Sequence, residues 1–366
     1  MGPNQIDDLV HSIQQSYIMG KWQDISSPLQ NYQFAARIFD RAKKKEMSST
    51  LCKWKLKIAN NDNFQVVDLY HRDTSTRVDV LTEGEMKWGM TTTNYHYDID
   101  EDIFNQGTKE IVNHFNLQED GLMQDFFEGV EDLMFASGPA SSSVKPFPIT
   151  SLLWWITTTA EDSASAENTA TEGFTGYSPQ GWSNAGGISP TTYKQWRNRC
   201  FPYTTVSSDD LIKKTIRSMD LCSFKPPVPR HDIKPEGQHN WELLTTYSRL
   251  EKLRTIARLN NDNTGNEVAS NSGTIEIRGV PVNWVSAWTN ESSVNQRDDG
   301  VLLGVDWNTF DWYYNSKRHM RKHDPFQHHE MSNVRVRKME DAGQIVCYNR
   351  RANFRGYCTD TVTETT

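Results

Sequence analysis

The most constraining feature of the sequence is a helical pattern that runs from Lys109 to Ala136. These 28 residues predict one amphipathic helix of ~42 Å, because each helical residue adds ~1.5 Å. A helix of this length is a spine to which other elements attach. Its apolar positions keep a three-to-four spacing: Val112, Phe115, Leu122, Phe126, Val130 and Leu133. Its opposite face is acidic: Glu119, Asp120, Asp125, Glu128 and Asp132.

Two glycines interrupt this helical pattern. Gly121 and Gly129 each weaken a helix by ~1 kcal/mol relative to alanine. We therefore expect either a bend or a close contact with another element at these two positions.

The region before the long helix is typical of β-strands. In "LCKWKLKI" (51–58), Lys53, Lys55 and Lys57 alternate with apolar side chains, which predicts a half-buried strand. "FQVVDLY" (64–70) predicts a second strand after the turn residues "NNDN". Residues 48–100 thus indicate a long β-hairpin, which has to pack on another surface to be stable. Further extended segments are predicted at 76–81 and 94–100.

The remaining elements do not alternate regularly between helix and strand. The sequence predicts a short amphipathic helix at 6–17 within an N-terminal arm, and a long irregular loop at 157–187. This order favours an α+β fold over a doubly wound α/β fold. Further helices are predicted at 207–219 and 241–259, and strands at 274–285, 301–314 and 334–349.

Composition excludes several classes of protein. The formal charge of -8 and the sequence pI near 5.7 argue against bulk attraction to nucleic acid. The longest apolar run is "LLWWI", far shorter than the ~20 residues that span a bilayer, and the first residues do not resemble a signal peptide. The five cysteines are scattered and never spaced as CxxC, so we expect no zinc site, no disulfide framework and a reducing compartment.

The best candidate for a chemical site is "KRHMRKHDPFQHHEM" (317–331), which we call the basic segment. Its histidines could bind a metal, but Asp324-Pro325 separates them and the surrounding Lys and Arg side chains oppose a cation. Residues 317–355 hold ten Lys and Arg against four Asp and Glu, which favours an anionic partner. We find no Walker loop, GxGxxG, HExxH or EF-hand pattern, so no cofactor and no catalytic residue is predicted. The histidines are His319, His323, His328 and His329.

The order of these elements resembles the major capsid proteins of tailed bacteriophages, which have the Hong Kong 97 fold. Short stretches of the sequence are similar to capsid motifs in the same order. They are "TRVDVLTEGEMKWGMTTTNYHYD" (76–98), "GGISPTTYKQWRN" (186–198), "IEIRGVPVNWV" (275–285), "GVDWNTFDWYY" (304–314) and "DAGQIVCYNRRANFRGY" (341–357).

The resemblance implies a domain order. It consists of an N-terminal arm (1–37), an E-loop hairpin (38–106), a peripheral domain with the spine helix and long loop (107–200), an axial domain (201–312) and return strands of the peripheral domain (313–366).

The resemblance also implies a structural protein and no enzyme. Copies of the chain would form the hexamers and pentamers of a virion shell, assembled in the host cytoplasm, with no membrane contact. A separate scaffolding protein, a portal and decoration proteins are the expected partners. The charges of the basic segment would face acidic neighbours or loosely held, packaged double-stranded DNA. The candidates for contact between subunits are Lys53, Trp54, Lys55, Lys57, Arg350 and Arg351.

Two other interpretations remain open from the sequence. One is a different phage structural component, such as a decoration or tail protein. It would lack a bent spine helix beside a long hairpin. The other is a metal-dependent hydrolase that uses the four histidines of the basic segment.

Overall fold

A computed structural model describes most of the chain. The described residues are 32–38, 44–58, 63–69, 79, 81–98, 108–158, 172–179, 181–223, 239–261, 275–289, 301–329, 331 and 333–358. The predicted helix at 6–17 and most of the predicted extended segment at 76–81 lie outside these residues.

Six α-helices and fifteen β-strands lie in the described part of the chain. The helices are α1 (Gln33–Ile38), α2 (Thr108–Phe135), α3 (Leu152–Trp155), α4 (Lys213–Cys222), α5 (Tyr247–Asn261) and α6 (Ser286–Thr289). The strands are β1 (Lys44–Glu46), β2 (Cys52–Lys57), β3 (Leu81–Met86), β4 (Gly89–Asp98), β5 (Gly173–Gly176), β6 (Asn198–Tyr203), β7 (Trp241–Thr245), β8 (Ile275–Ile277), β9 (Val280–Trp284), β10 (Leu302–Asp306), β11 (Phe310–Tyr314), β12 (Arg321–Lys322), β13 (Phe326–Gln327), β14 (Val334–Cys347) and β15 (Phe354–Cys358). Within these residues no helix is long and apolar enough to cross a membrane.

The first sheet has six strands and is organised around β14. One edge of β14 pairs antiparallel with the whole of β4, from Val334 opposite Asp98 to Gly343 opposite Gly89. The other edge pairs in turn with β13, β12 and β11, and β1 runs parallel to β11. Residues 341–347 are all buried, as expected for a strand that is covered on both faces.

Helix α2 packs against β4 and confirms the predicted spine helix. Leu122, Phe126 and Val130 face the core, and their three-to-four spacing is the one that the sequence shows. The helix continues through Gly121 and Gly129, and a Cβ added at either residue would meet nothing within 4 Å. Of the two alternatives expected at these glycines, a bend or a close contact, the close contact is therefore absent.

Helix α1 is held on α2 by a buried carboxylate. The backbone N–H of Phe34 donates to both oxygens of Glu131, at 3.0 and 3.1 Å. The ring of Phe34 packs against Trp307 and Trp312, with centroids 6.3 and 6.4 Å apart. Arg37 at the end of α1 pairs with buried Glu242 of β7 at 3.3 Å. Helix α1 therefore connects α2 to both sheets.

The second sheet has seven strands in the order β5-β6-β15-β10-β7-β9-β8. Helices α4 and α5 pack on it and form a second apolar core with Phe201, Leu243 and Phe354. The helix predicted at 207–219 begins with a serine cap, because the Ser207 hydroxyl accepts from the backbone N–H of Asp210. One π-helical turn, Ser208–Ile212, precedes α4.

Several predicted elements differ from the structure. The long irregular loop predicted at 157–187 contains the strand β5. Within the long hairpin predicted at 48–100, residues 89–98 form β4, which pairs with β14 in the first sheet. Residues 241–245 form β7 and not the first turns of a helix, because they pair with β10 and β9 inside the second sheet. The extended pair predicted at 334–349 is one strand, β14, whose partners come from elsewhere in the chain. Residues 64–69 form no strand, and the partner of β2 is β3.

The two sheets meet where two chain segments pass from one sheet to the other. The 3-10 turn Trp307–Thr309 joins β10 to β11, and residues 348–353 join β14 to β15. The side chain of Asn353 links both segments, since it accepts from Asp306 N at 2.8 Å and donates to Thr309 Oγ1 at 3.0 Å. We call this region the junction of the sheets.

Arg350 lies in the junction and is completely buried. Its guanidinium donates to the carbonyl oxygens of Trp155 at 2.7 Å, Tyr177 at 2.8 Å and Trp196 at 3.1 Å. It also donates to Thr157 Oγ1 and to Asn198 Oδ1, both at 3.1 Å. None of these partners is a carboxylate. Burial lowers the pKa of Arg350 to about 10, so the group stays charged at neutral pH.

We predict that Arg350→Ala strongly destabilises the unassembled chain. The substitution leaves several buried acceptors without a donor, at a cost of ~1–3 kcal/mol for each acceptor. Chemical denaturation of the purified chain should show a loss of at least ~3 kcal/mol. Arg351→Ala is the matched control and should cost less than ~1 kcal/mol, because the Arg351 side chain is exposed and lies over the Phe174 ring. Equal losses for the two variants would contradict the role assigned to Arg350.

Candidate assembly surface

The β2–β3 hairpin carries the lysines that the sequence singles out. In the antiparallel register, Lys53 lies opposite Glu85 and Lys55 lies opposite Glu83. Lys53 Nζ lies 3.4 Å from Glu83 Oε2 and 3.9 Å from Glu85 Oε2. Lys55 and Lys57 are exposed. The predicted alternation is confirmed, and one face of the hairpin presents charges to solvent.

Trp54 fixes the opposite face of the hairpin to the body of the protein. Its indole is buried, lies against Gly84 on the partner strand and packs edge-on against Trp155 at 6.0 Å. Gly186 passes close to both rings, and its carbonyl accepts from Glu85 N at 3.1 Å. Trp54 thus contributes to the fold of a single copy. Further edge-on contacts extend this tryptophan cluster through Trp154, Trp182 and Trp196.

The end of the hairpin exposes a group of apolar side chains. Phe64 is 91% exposed, Val66 89% and Leu69 85%, and Val67 and Leu81 are also largely exposed. We call these five residues the apolar tip. Four of these exposed apolar side chains lie within residues 64–69, and such a concentration of exposed apolar residues favours a surface that binds a partner. This surface has no separate signal in the sequence, because the β-propensity of residues 64–69 predicts a strand there.

The two arginines predicted to contact other subunits lie in different environments. Arg350 is buried in the junction of the sheets and has protein acceptors for its guanidinium. Arg351 is exposed, and its guanidinium carbon lies 4.3 Å from the centroid of the Phe174 ring. Contact of either residue with a second copy stays a prediction.

The histidines of the basic segment do not converge. His319 Nδ1 lies 2.8 Å from Asp341 Oδ1, and His323 Nε2 lies 3.2 Å from Glu340 Oε2. His328 packs on His96 of β4 with ring centroids 5.7 Å apart. In the described part of the chain, no group of three or more His, Cys, Asp or Glu side chains could hold a metal ion.

Several cations of the basic segment and of β14 have acidic partners within the chain. Glu119 of α2 pairs with Lys322 at 3.3 Å and with Arg337 at 2.7 Å. Glu340 pairs with Lys338 at 2.6 Å, and its hydrogen bonds to Lys338 and His323 lower its pKa to about 2. The two pairs of Glu119 fix β12 and β14 on the spine helix.

Comparison of the sequence with known proteins finds no relatives. No family model matches the chain, and no curated protein matches it either.

Comparison of the structure finds phage capsids. The cyanophage A-1(L) capsid asymmetric unit matches with a TM-score of 0.58 and 11% identity, over 90% of this chain and 93% of that chain. The capsid of the native GTA particle matches with a TM-score of 0.53 and 6% identity, over 93% and 95%. A structure of Mycobacterium phage Bobi matches with a TM-score of 0.50 and 8% identity, over 95% and 98%. The chain therefore has the fold of phage capsid proteins, which confirms the α+β, Hong Kong 97-like fold implied by the resemblance.

We predict that Gly84→Ala detaches the hairpin from the body. A Cβ at Gly84 would collide with the indole of Trp54, which cannot move because it lies against Trp155. Limited proteolysis should cut the hairpin of the variant faster than that of the wild type. Gly129→Ala is the control, since its Cβ enters open space and should stabilise α2 by up to ~1 kcal/mol. Unchanged cleavage of the Gly84 variant would contradict this account of the hairpin.

Proposed function

We propose that the chain is the major capsid protein of a tailed phage, and that its copies assemble into the shell around the double-stranded DNA genome. The fold supports this proposal, because the likeness to capsid structures extends over about nine tenths of the chain. The role is structural and not catalytic. The main observation in support of assembly is that the apolar tip of the hairpin is exposed in the single copy.

The apolar tip gains stability only when another surface covers it. Full burial of one large apolar side chain contributes ~1.5–3 kcal/mol, and Phe64, Val66 and Leu69 are each at least 85% exposed in the single copy. A second copy of the chain supplies such a surface at every subunit of a symmetric shell. Many contacts of this modest strength then close a stable assembly.

The base and the tip of the hairpin have separate roles in this proposal. Trp54 holds the base on its own subunit, while Lys55 and Lys57 point to solvent next to the tip. These lysines contact an acidic surface of a neighbouring copy. Lys53 contributes less, because Glu83 and Glu85 already neutralise it. Arg351 is the exposed candidate at the junction of the sheets.

The domain order implied by the resemblance forms part of the proposal. Residues 1–37 are the arm, 38–106 the E-loop, 107–200 and 313–366 the peripheral domain, and 201–312 the axial domain. The shell consists of hexamers and pentamers and is located in the virion after assembly in the host cytoplasm. A separate scaffolding protein, a portal and decoration proteins are its partners, and packaged DNA contacts it loosely.

A decoration or tail component is not favoured by the structure. The feature expected to distinguish it was the absence of a bent spine helix beside a long hairpin. The described residues contain a spine helix of 28 residues, α2, and the β2–β3 hairpin.

We predict that polar substitution of the tip prevents assembly without unfolding the subunit. The triple variant Phe64→Ser, Val66→Ser, Leu69→Ser removes apolar area that is exposed in the single copy, so its thermal midpoint should equal that of the wild type. Sedimentation velocity should show subunits or capsomers where the wild type forms shells.

Asp68→Ser is the matched control, because it changes the same loop and keeps every apolar side chain. This control should assemble normally. Shells formed by the triple variant at the wild-type yield would refute the role of the tip.

A further inference from the structure

The turn between β11 and β12 is firmly attached to the central strand of the first sheet. Asn315 N donates to Ala342 O at 3.0 Å, and Ala342 N donates to Arg318 O at 3.1 Å. Within the turn, Arg318 N donates to Asn315 O at 3.0 Å and Lys317 N donates to Asn315 Oδ1 at 3.1 Å. Residues 315–321, which we call the basic turn, therefore have a fixed backbone.

A buried carboxylate holds the inner side of the basic turn. Asp341 Oδ1 lies 2.8 Å from His319 Nδ1 and accepts from Met320 N at 3.1 Å. The His319 ring also packs on Tyr314, with centroids 4.3 Å apart. Met320 has a φ of 46°, a left-handed conformation that is uncommon for a residue other than glycine. The Asp341 carboxylate stabilises this conformation and directs His319 inwards.

The same backbone directs three cations outwards. Lys317, Arg318 and Arg321 are exposed, and none of them forms an ion pair with a described carboxylate. In contrast, Lys322 forms an ion pair with Glu119 at 3.3 Å. An excess of three positive charges thus lies within five consecutive positions of a chain whose formal charge is -8.

We propose that the basic turn binds the phosphate backbone of double-stranded DNA. The inference rests on the proposed capsid function, since a shell encloses this polyanion at high concentration. Arginine side chains bind phosphate oxygens through two parallel N–H donors, and lysine binds them as a point charge. Asn315 and the exposed Ser316 are also of the residue types that contact phosphates.

The composition of the turn favours a nucleic acid over an acidic surface of a neighbouring copy. The centre of a protein–protein interface is depleted of charged residues, above all lysine, and uses a large apolar or aromatic anchor. The basic turn has no exposed aromatic side chain; its large apolar residue Met320 is half-buried beside Asp341. Contacts with a phosphate backbone need only fixed, exposed cations and carry no sequence preference.

Three cations give weak binding that depends strongly on salt. The binding constant falls as the salt concentration rises. On a plot of its logarithm against the logarithm of the salt concentration, each neutralised phosphate adds ~0.9 to the magnitude of the slope. Three contacts therefore contribute ~2.7 to this slope. Binding of this kind holds DNA against the shell without preventing its entry or release.

The test measures binding of a fluorescent duplex of ~30 base pairs to the unassembled full-length chain by anisotropy, at several salt concentrations between ~50 and ~200 mM. The variant is Lys317→Gln, Arg318→Gln, Arg321→Gln. The matched control is Lys213→Gln, Lys252→Gln, Arg254→Gln, which removes the same charge from exposed positions of α4 and α5. The variant should lose ~2.7 from the slope and bind at least ~10-fold more weakly at the lowest salt, while the control keeps the wild-type slope.

A charge-retaining variant, Lys317→Arg, Arg318→Lys, Arg321→Lys, checks that loss of binding follows loss of charge. It should bind with the wild-type slope. A wild-type chain that does not bind the duplex, or equal slopes for the wild type and the glutamine variant, would overturn the proposal.

Sedimentation of the same samples separates this inference from the proposed function. A glutamine variant that binds DNA normally but does not assemble would assign the basic turn to an interface between copies, and would overturn the inference. A wild-type chain that binds DNA through the turn but never assembles would support the inference and count against the capsid function.

Discussion

The guanidinium of Arg350 satisfies backbone carbonyls from three separate segments at the point where the two sheets meet. Buried carbonyls require a donor, and an arginine can supply five N–H groups in one plane. The end of α3, the loop after β5 and the turn before β6 are thereby fixed relative to the end of β14. The tryptophan cluster beneath the hairpin includes Trp155 and Trp196, which belong to two of these segments.

The attachment of the hairpin to the rest of the protein determines which of its residues are exposed. Trp54 attaches the base of the hairpin to the tryptophan cluster, and the strands carry the apolar tip into solvent. A two-stranded hairpin is marginal by itself, so its projection needs this fixed base. In the proposed shell, the cost of this exposed apolar area is offset when copies associate. The basic turn is arranged in a similar way. Asp341 fixes its inner side, while its cations remain exposed and available to a partner.

The sequence pattern predicts those helices and strands whose buried faces are set by the spacing of their own residues. The three-to-four spacing of Leu122, Phe126 and Val130 indicated α2, and the alternation around Trp54 indicated β2. Residues 241–245 were predicted as helix because their apolar run continues into α5, while strands β9 and β10, distant in sequence, decide their conformation. Residues 64–69 have strand propensity but no partner strand among the described residues. The burial of Arg350 has no local signal either, since the residues whose carbonyls it binds lie 154 to 195 positions away in the sequence.

The most direct test of the capsid function is electron microscopy of the purified full-length chain, after sedimentation and with salt or a crowding agent added. The proposed function predicts closed shells, or curved sheets, built of fivefold and sixfold rings of this chain. A chain that stays a compact monomer under all of these conditions, and also when co-expressed with the scaffolding protein of its phage, would contradict the capsid function.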